Sequence, residues 1–190
     1  MRVLGIHGSP RKGGNTDLML DAFLAGAQQA GAEVQRIYVR RLKIQGCLGC
    51  GGCDETGECV VDDGMSEVYP LLKGADRVVL ASPIYFYGLT GSLKLLVDRS
   101  QACFMGHQLA KQAGTHVAGA NGRGFLLSAG ATRGKRLFEC AILTARYFFD
   151  ALNMDYAGEL CFWQVDHKGD IRLQDGALEQ CFAAGRALAS

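Results

Sequence analysis

The chain has little proline, no excess of either charge and a single tryptophan among its 190 residues. Only 3 residues are proline whereas 26 are glycine, which indicates glycines placed at specific turns rather than in a low-complexity linker. Lys and Arg number 20 against 19 for Asp and Glu, so the net charge is +1. This balance provides no electrostatic basis for binding nucleic acid or an anionic membrane, and we expect neither as a partner.

A long apolar run is also missing. No segment approaches the ~18 apolar residues of a membrane-spanning helix, and the N-terminal MRVLGIHGS lacks the apolar region and cleavage site of a signal peptide. These absences predict a cytoplasmic protein, in which eight cysteines would not form a disulfide framework. Four of the cysteines stand apart in apolar surroundings and are expected to be core residues, namely Cys103, Cys140, Cys161 and Cys181.

Five apolar runs have the character of β-strands and alternate with segments of helical spacing. The strands are expected at 3–6, 34–39, 77–82, 124–129 and 160–165. The helices are expected at 16–30, 65–73, 91–104, 134–152 and 175–188, the second of them kinked or started late by Pro70. This alternation predicts an α/β three-layer sandwich of flavodoxin type, with a five-stranded parallel sheet. With no Pro/Ser-rich linker and no repeat, residues 1–190 are expected to form a single domain.

In such a sheet, ligands bind at the carboxyl ends of the strands, so the loops after the first, third and fourth strands are the candidates for a site. The segment 106–124 contains five glycines and is expected to be a mobile loop before the fourth strand.

The loop after the first strand, HGSPRKGGNT (7–16), leads a glycine-rich turn into a helix N-terminus, where amides and the helix dipole favour an anion. It has neither the Walker spacing nor the Gly-x-Gly-x-x-Gly of dinucleotide-binding proteins. Its short donors and cations suit a terminal phosphate monoester. The candidate residues are Ser9, Arg11, Lys12, Asn15 and Thr16. The alternative is a solvated loop in which Asn15 or Thr16 only caps the helix.

The loop after the third strand carries three aromatic residues, Tyr85, Phe86 and Tyr87, directly after Pro83. Aromatics grouped at a strand end suggest a wall for a flat ring, whose polar edge the backbone of 84–88 could meet. The alternative is that they pack over the core. The loop after the fourth strand, SAGATRG (128–134), has small residues that allow a ligand edge to approach closely. Together, the three loops predict a mononucleotide of flavin type.

A fourth feature is the cysteine-rich insertion CLGCGGCDETGEC, which places Cys47, Cys50, Cys53 and Cys59 within thirteen residues. The spacing is not that of a zinc ribbon. Three successive two-residue gaps resemble the run of bacterial ferredoxins, although the fourth cysteine comes later and no proline follows it. An iron–sulfur cluster, a zinc ion and a glycine-rich turn with free thiols remain as alternatives.

These segments, in their order along the chain, resemble the NADPH-dependent FMN reductase family over residues 1–135. The resemblance rests on GSPRKGGNT, CLGCGGC followed by CVVDD, and ASPIYFYGLTGSLKLLVDR. Within the family it is closest to the iron–sulfur flavoproteins. The resemblance implies a flavodoxin-like fold, non-covalently bound FMN, and a homodimer or homotetramer with FMN near the subunit contacts.

The resemblance also implies roles for residues at matching positions. The FMN phosphate would be held by Ser9, Arg11, Asn15 and Thr16. The isoalloxazine would be lined by Pro83, Ile84, Tyr85, Phe86 and Gly88 on one side and by Ala129, Gly130 and Ala131 on the other. The four clustered cysteines would hold a 4Fe–4S cluster that exchanges electrons with FMN. Lys94, Asp98 and Arg99 match the LKxxxDR helix, either as an exposed ion-paired face or as direct ligands.

The implied activity is hydride transfer from NADPH or NADH to FMN, followed by reduction of a flavin, a quinone, another small molecule or an iron–sulfur centre. The flavin carries this chemistry, so no catalytic acid or base is assigned. The partners would be a small-molecule acceptor or a redox protein. Two alternatives are an FMN and iron–sulfur electron carrier without nicotinamide-dependent activity, which the net charge of +1 disfavours, and a zinc-stabilised binding module.

Overall fold

Five parallel strands form the sheet at the centre of the fold. The computed structural model describes residues 1–115 and 122–190. The strands are β1 Arg2–His7, β2 Glu33–Tyr38, β3 Arg77–Pro83, β4 Arg123–Gly130 and β5 Asp155–Trp163. Their order in the sheet is β2-β1-β3-β4-β5, and every neighbouring pair is parallel. This is the order of the flavodoxin-like fold, so the predicted class is confirmed.

Helices cover both faces of the sheet. They are α1 Asn15–Gln29, α2 Met65–Gly74, α3 Gly91–Arg99, α4 Gln101–Gln112, α5 Glu139–Ala151 and α6 Ala177–Leu188, with short 3₁₀ turns at Val39–Arg41 and Asp170–Leu173. Within the described residues, no helix combines the length and the apolar character needed to cross a bilayer.

Alternation along the strands separates two apolar cores. In β3, Val78 and Leu80 face the core beneath α2, α3, α4 and α5, whereas Val79 and Ala81 face the core beneath α1 and α6. Successive side chains of a strand point to opposite faces, so a strand covered on both sides is apolar at nearly every position. This is why the continuous apolar runs predicted strands correctly.

Helices α1 and α6 cross with their backbones in contact. A Cβ atom at Gly26 of α1 would overlap the carbonyl group of Phe182, and one at Gly185 of α6 would overlap the carbonyl of Phe23. Only a residue without a side chain allows this approach. The crossing therefore fixes where α1 lies along the sheet.

The differences from the predicted elements are local. The strand expected at 160 begins at Asp155, next to an irregularity in its pairing with β4. The helix expected at 91–104 is broken at Ser100, and its second part continues to Gln112, so the first residues of the expected 106–124 loop are helical. The remainder of that expectation falls partly on 116–121, outside the described residues.

Three further expectations need correction. Pro70 lies inside α2 and does not delay its start at Met65, and the helix expected from 134 begins at Glu139. Of the four scattered cysteines, Cys103 and Cys181 are buried as expected, whereas Cys161 is half-buried and Cys140 is exposed.

Candidate functional site

A cleft opens at the carboxyl edge of the sheet, where the loops after β1, β3, β4 and β5 meet. The sheet register explains this meeting, since His7 pairs with Ala81, Pro83 with Ala129, and Gly130 with Trp163. Most of the predicted cofactor residues line the cleft, namely Ser9, Arg11, Asn15, Thr16, Pro83, Ile84, Tyr85, Ala129, Gly130 and Ala131. Lys12, Phe86 and Gly88 do not line it. Gly14 of the predicted glycine-rich turn lines it as well, and sequence reasoning missed Val165, Asp166 and Lys168, which also do.

The N-terminus of α1 faces this cleft without a side-chain cap. The residue before the helix, Gly14, provides no capping bond, so the amides of the first turn have no acceptor within the helix. Gly13 has a φ of 65°, a conformation that favours glycine, and turns the chain into the helix. The Ser9 hydroxyl is almost fully buried beside them and accepts a bond from the Arg11 amide at 3.2 Å. This donor set fits an anion such as a phosphate group.

The Asn15 side chain joins the loop after β1 to the loop after β5. Its Nδ2 donates to the His167 carbonyl at 2.8 Å, and its Oδ1 accepts from the amides of Gly169 at 2.9 Å and Ile171 at 3.3 Å. Arg11 adds a bond from Nη1 to the Asp166 carbonyl at 3.3 Å. The amide that the sequence assigned to a phosphate, or to capping the helix, is thus used to brace a second loop.

A buried carboxylate supports the loop from beneath. Asp17 Oδ2 accepts from the Gly13 amide at 2.9 Å and lies 3.0 Å from Arg40 Nη2, while His7 Nδ1 lies 3.1 Å from Oδ1. Burial alone raises the pKa of Asp17, but the hydrogen bonds from His7, Gly13 and Arg40 outweigh it and bring the pKa below its ordinary 3.8.

Both side-chain partners of Asp17 make further contacts. His7 is fully buried and stacks on Tyr38 with 4.2 Å between ring centroids. Arg40, in the 3₁₀ turn after β2, donates from Nη1 to the Ser9 carbonyl at 3.1 Å. The loop after β1 is therefore fastened from the segment after β2 as well as from α1.

The aromatic segment after β3 forms a two-residue hairpin. Tyr85 and Gly88 exchange backbone bonds of 3.0 Å in both directions, and the residues at the tip, Phe86 and Tyr87, have φ values of 48° and 65°. Such turns normally carry Asn or Gly, because a side chain in this conformation is strained. The relative exposure is 44% for Tyr85, 105% for Phe86 and 51% for Tyr87, so these rings do not pack over the core.

Hydrogen bonds join each of these loops to a neighbouring one. Thr90 caps α3 and donates from Oγ1 to the Gly8 carbonyl at 2.6 Å. The Ile84 amide donates to the Ala129 carbonyl at 2.9 Å. At the end of β5, Trp163 Nε1 donates to the Gly134 carbonyl at 3.2 Å, and its ring meets that of Phe138 edge-on at 4.8 Å. The three loops thus hold one another at the cleft.

The four clustered cysteines line a separate cavity of about 490 Å³ beside the start of α4. Cys47 and Cys50 are exposed, and Cys53 and Cys59 are half-buried. Within 1–115 and 122–190, no three His, Cys, Asp or Glu side chains are grouped closely enough to hold a metal ion. The thiols therefore face one space and have the chemistry for a cluster, but as placed they do not form a finished cluster site.

A buried ion pair joins the two ends of the cysteine-rich segment. Arg99 is 1% exposed, and its Nη1 donates to Asp63 Oδ2 at 2.7 Å and to the Gln45 carbonyl at 3.1 Å. Its Nη2 donates to the Val61 carbonyl at 3.1 Å. Of the LKxxxDR residues, only Lys94 and Asp98 form the expected exposed pair, at 2.6 Å. Arg99 is instead a buried clamp between the two ends of the segment.

The fold and the cleft together define a flavodoxin-like protein in which the loop after β1 leads into an uncapped helix N-terminus at the carboxyl edge of the sheet. The chain belongs to the NADPH-dependent FMN reductase family, whose model matches residues 1–135. Family membership supports FMN as the cofactor and a nicotinamide as the reductant.

Relatives with similar sequences include an iron–sulfur flavoprotein of Methanocaldococcus jannaschii, 39% identical over 118 residues, which are 62% of this chain and 61% of the relative. Another, from Archaeoglobus fulgidus, is 44% identical over 99 residues, 52% of this chain and 45% of the relative. The chain thus spans about half the length of the relatives it matches.

Among solved structures, the NAD(P)H:quinone oxidoreductase from Methanothermobacter marburgensis superposes with a TM-score of 0.72 at 16% identity, covering 99% of this chain and 98% of that one. At this identity the similarity supports the fold alone.

Proposed function

We propose that this chain binds FMN in the cleft at the carboxyl edge of the sheet and passes electrons from NADPH or NADH to an acceptor. The observation that carries the proposal is the uncapped N-terminus of α1, which faces a cleft lined by the loops after β1, β3, β4 and β5. When bound, FMN supplies the hydride and electron chemistry. The protein binds and orients it.

Each loop has a distinct part in this binding. The phosphate would be held by the first-turn amides of α1, the Ser9 hydroxyl and the Arg11 guanidinium. The segments Pro83–Tyr85 and 129–131 would line the ring. The cleft has a volume of about 90 Å³, less than a whole mononucleotide occupies, so we expect part of the ring to lie beyond it, beside the exposed aromatic hairpin.

An anaerobic titration tests the proposal. Protein loaded with FMN is mixed with NADPH or NADH, and the absorbance of oxidised flavin is followed, with dithionite as the control reductant. Bleaching by a nicotinamide on the timescale of turnover supports a reductase. Bleaching by dithionite alone supports the electron carrier instead, and failure of the purified protein to bind FMN contradicts both functions.

The electron acceptor would be a flavin, a quinone, another small molecule or a redox protein. We also propose assembly as a homodimer or homotetramer. The support is the resemblance to a family of oligomers and the exposure of large apolar side chains, such as Phe86 at 105% and Tyr147 at 69%. Light scattering coupled to gel filtration measures the assembly, and a monomeric mass at micromolar concentration would contradict it.

The clustered cysteines carry the finer part of the proposal, a 4Fe–4S cluster held by Cys47, Cys50, Cys53 and Cys59. The support is that all four line one cavity and that the relatives described above are named iron–sulfur flavoproteins. Because the thiols are not grouped closely enough for a metal, cluster binding requires the segment to close further. The positive-φ glycines Gly49, Gly51 and Gly57 give its backbone the turns for this.

Iron and sulfide analysis of protein made without oxygen tests the cluster. One cubane corresponds to about four irons and four acid-labile sulfides per chain. Cys50→Ser should lose the iron and keep FMN, because the cavity and the cleft are formed by different segments. Cys140→Ser, at an exposed cysteine outside the insertion, is the matched control and should keep both. Zinc, or no metal, in the anaerobic protein would contradict the cluster.

A further inference from the structure

One cation at the cleft, Lys168, lies in a segment that matches none of the motifs found in the sequence. Lys168, in the loop after β5, lines the cleft together with Arg11. Its Nζ lies 3.7 Å from the position that a Cβ atom would take at Gly13, directly beside the turn that leads into α1. Lys12, which the loop motif suggested, does not line the cleft.

The position of Lys168 is fixed by its neighbours. On either side of it, the His167 carbonyl and the Gly169 amide are both bonded to the Asn15 side chain, at 2.8 Å and 2.9 Å. Asp170 Oδ2 accepts from the amides of Asp166 at 3.1 Å and His167 at 2.7 Å. The fully buried Ile171 anchors the end of the loop in the core. The backbone that carries Lys168 is therefore held against the phosphate loop.

The charges around the cleft favour an anion next to this lysine. The buried carboxylate of Asp17 is paired with Arg40, which leaves Arg11 and Lys168 as the cations on the lining, against the one carboxylate of Asp166. A lysine ammonium acts on a phosphate as a point charge with three donors.

We propose that Lys168 is a ligand of the FMN phosphate and determines the preference of the cleft for FMN over riboflavin, with Asn15 as the residue that positions it. This inference rests on the proposed function, since it names a recognition residue of the same site. It assigns the Asn15 side chain an indirect role in place of direct phosphate contact.

Flavin titrations of the apoprotein test this inference. We expect Lys168→Ala to raise the Kd for FMN by roughly tenfold, the effect of one charge-assisted hydrogen bond, and to leave the Kd for riboflavin unchanged. Lys168→Arg should retain most of the preference. Lys111→Ala, which removes an exposed lysine in the last turn of α4, is the matched control and should bind both flavins as the wild type does.

The positioning role of Asn15 is tested by a double-mutant cycle. If Asn15 acts through Lys168, then Asn15→Ala also weakens FMN binding, and adding Lys168→Ala to it has much less than its tenfold effect in the wild type. Fully additive effects would overturn the positioning role.

The main inference is overturned if Lys168→Ala binds FMN as tightly as the wild type does, or if riboflavin binding weakens as much as FMN binding. In both cases the wild type still binds FMN, so the proposed function would stand. A wild type that binds no FMN is a different result, because it removes the proposed function and this inference with it.

Discussion

A single buried carboxylate, Asp17, organises the floor of the cleft. It accepts a hydrogen bond from the Gly13 amide of the loop after β1. It also pairs with the Arg40 guanidinium from the segment after β2 and contacts the buried His7 ring. Removing one member of such a buried set leaves the others without a partner, which costs more than the set contributes as a whole. Asp17 is therefore the residue at which loop geometry and stability are joined.

We expect Asp17→Asn to lower the free energy of unfolding by roughly 2–4 kcal/mol at neutral pH, because the half-buried Arg40 guanidinium then faces a neutral amide. The pKa of Asp17 is depressed, so its contribution is fully present above its ordinary value of 3.8 and is lost as the pH falls through the lower folded value. Denaturant unfolding of both proteins between pH 7 and pH 2 measures this. A difference that stays constant down to pH 2 would contradict the role of the charge.

For individual residues, the sequence predicted which side chains lie at the cleft better than it predicted which partners they contact. Ser9, Arg11, Asn15 and Thr16 do meet at one cleft, because a glycine turn before a helix has few ways to fold. The surroundings of two residues could not be predicted. The amide of Asn15 contacts residues more than 150 positions away, and Arg99 is buried only because the cysteine segment folds over it. Lys168 lies in the sequence HKGD, where no motif or periodicity marks it.

Among the elements, the hairpin after β3 stores backbone strain in the free protein. Both tip residues, Phe86 and Tyr87, hold a left-handed conformation that costs a residue with a side chain about 1 kcal/mol or more. Strain of this kind persists where the surrounding structure determines it, and it is common at ligand sites. The hairpin keeps two rings exposed next to the cleft at the expense of stability.

Replacing the tip by the preferred turn sequence, Phe86→Asn with Tyr87→Gly, should raise the free energy of unfolding by roughly 1–2 kcal/mol, because Asn and Gly tolerate positive φ. Phe86→Ala with Tyr87→Ala is the matched control, since it removes the same rings but keeps residues that are strained there. Thermal and denaturant unfolding compare the two. Equal stabilisation by both pairs would mean that ring exposure, and not the backbone, is responsible.

For the molecule as a whole, the crossing of α1 and α6 sets the position of the loop after β1. Gly26 and Gly185 let the two backbones touch, and α1 begins at the cleft. The last helix of the chain, which lies outside the residues matched by the family model, thus acts on the site through the helix that carries it.

Gly185→Ala should lower the free energy of unfolding by roughly 1–3 kcal/mol, because the added methyl group forces the two backbones apart. Alanine is otherwise the better helix former by about 1 kcal/mol, so the sign of the change is informative. Gly106→Ala in α4 is the control, since a Cβ there meets its nearest atoms at an ordinary 3.6 Å, and it should be neutral or stabilising. A stabilised Gly185→Ala protein would contradict the close crossing.

The architecture was predictable because its signals are local and repeated. Buried parallel strands are apolar at nearly every position, and helices between them follow from spacing and from the right-handed crossover rule. The break at Ser100 and the early start of β5 were missed because they depend on neighbouring elements. The strand from Asp155 to Leu160 alternates weakly, since β5 lies at the edge of the sheet and is only half-covered.

The single tryptophan gives the protein an optical reporter of the loop after β4. Trp163 ends β5, is 43% exposed, and is fastened to Gly134 and Phe138 at the far end of the loop after β4. Its emission therefore responds to opening of that loop without any attached dye. Oxidised flavins absorb where indole emits, so cofactor binding would lower the intensity of the tryptophan emission. Movement of the loop would instead shift the wavelength of that emission. Cofactor loading and loop motion can thus be separated in one cuvette.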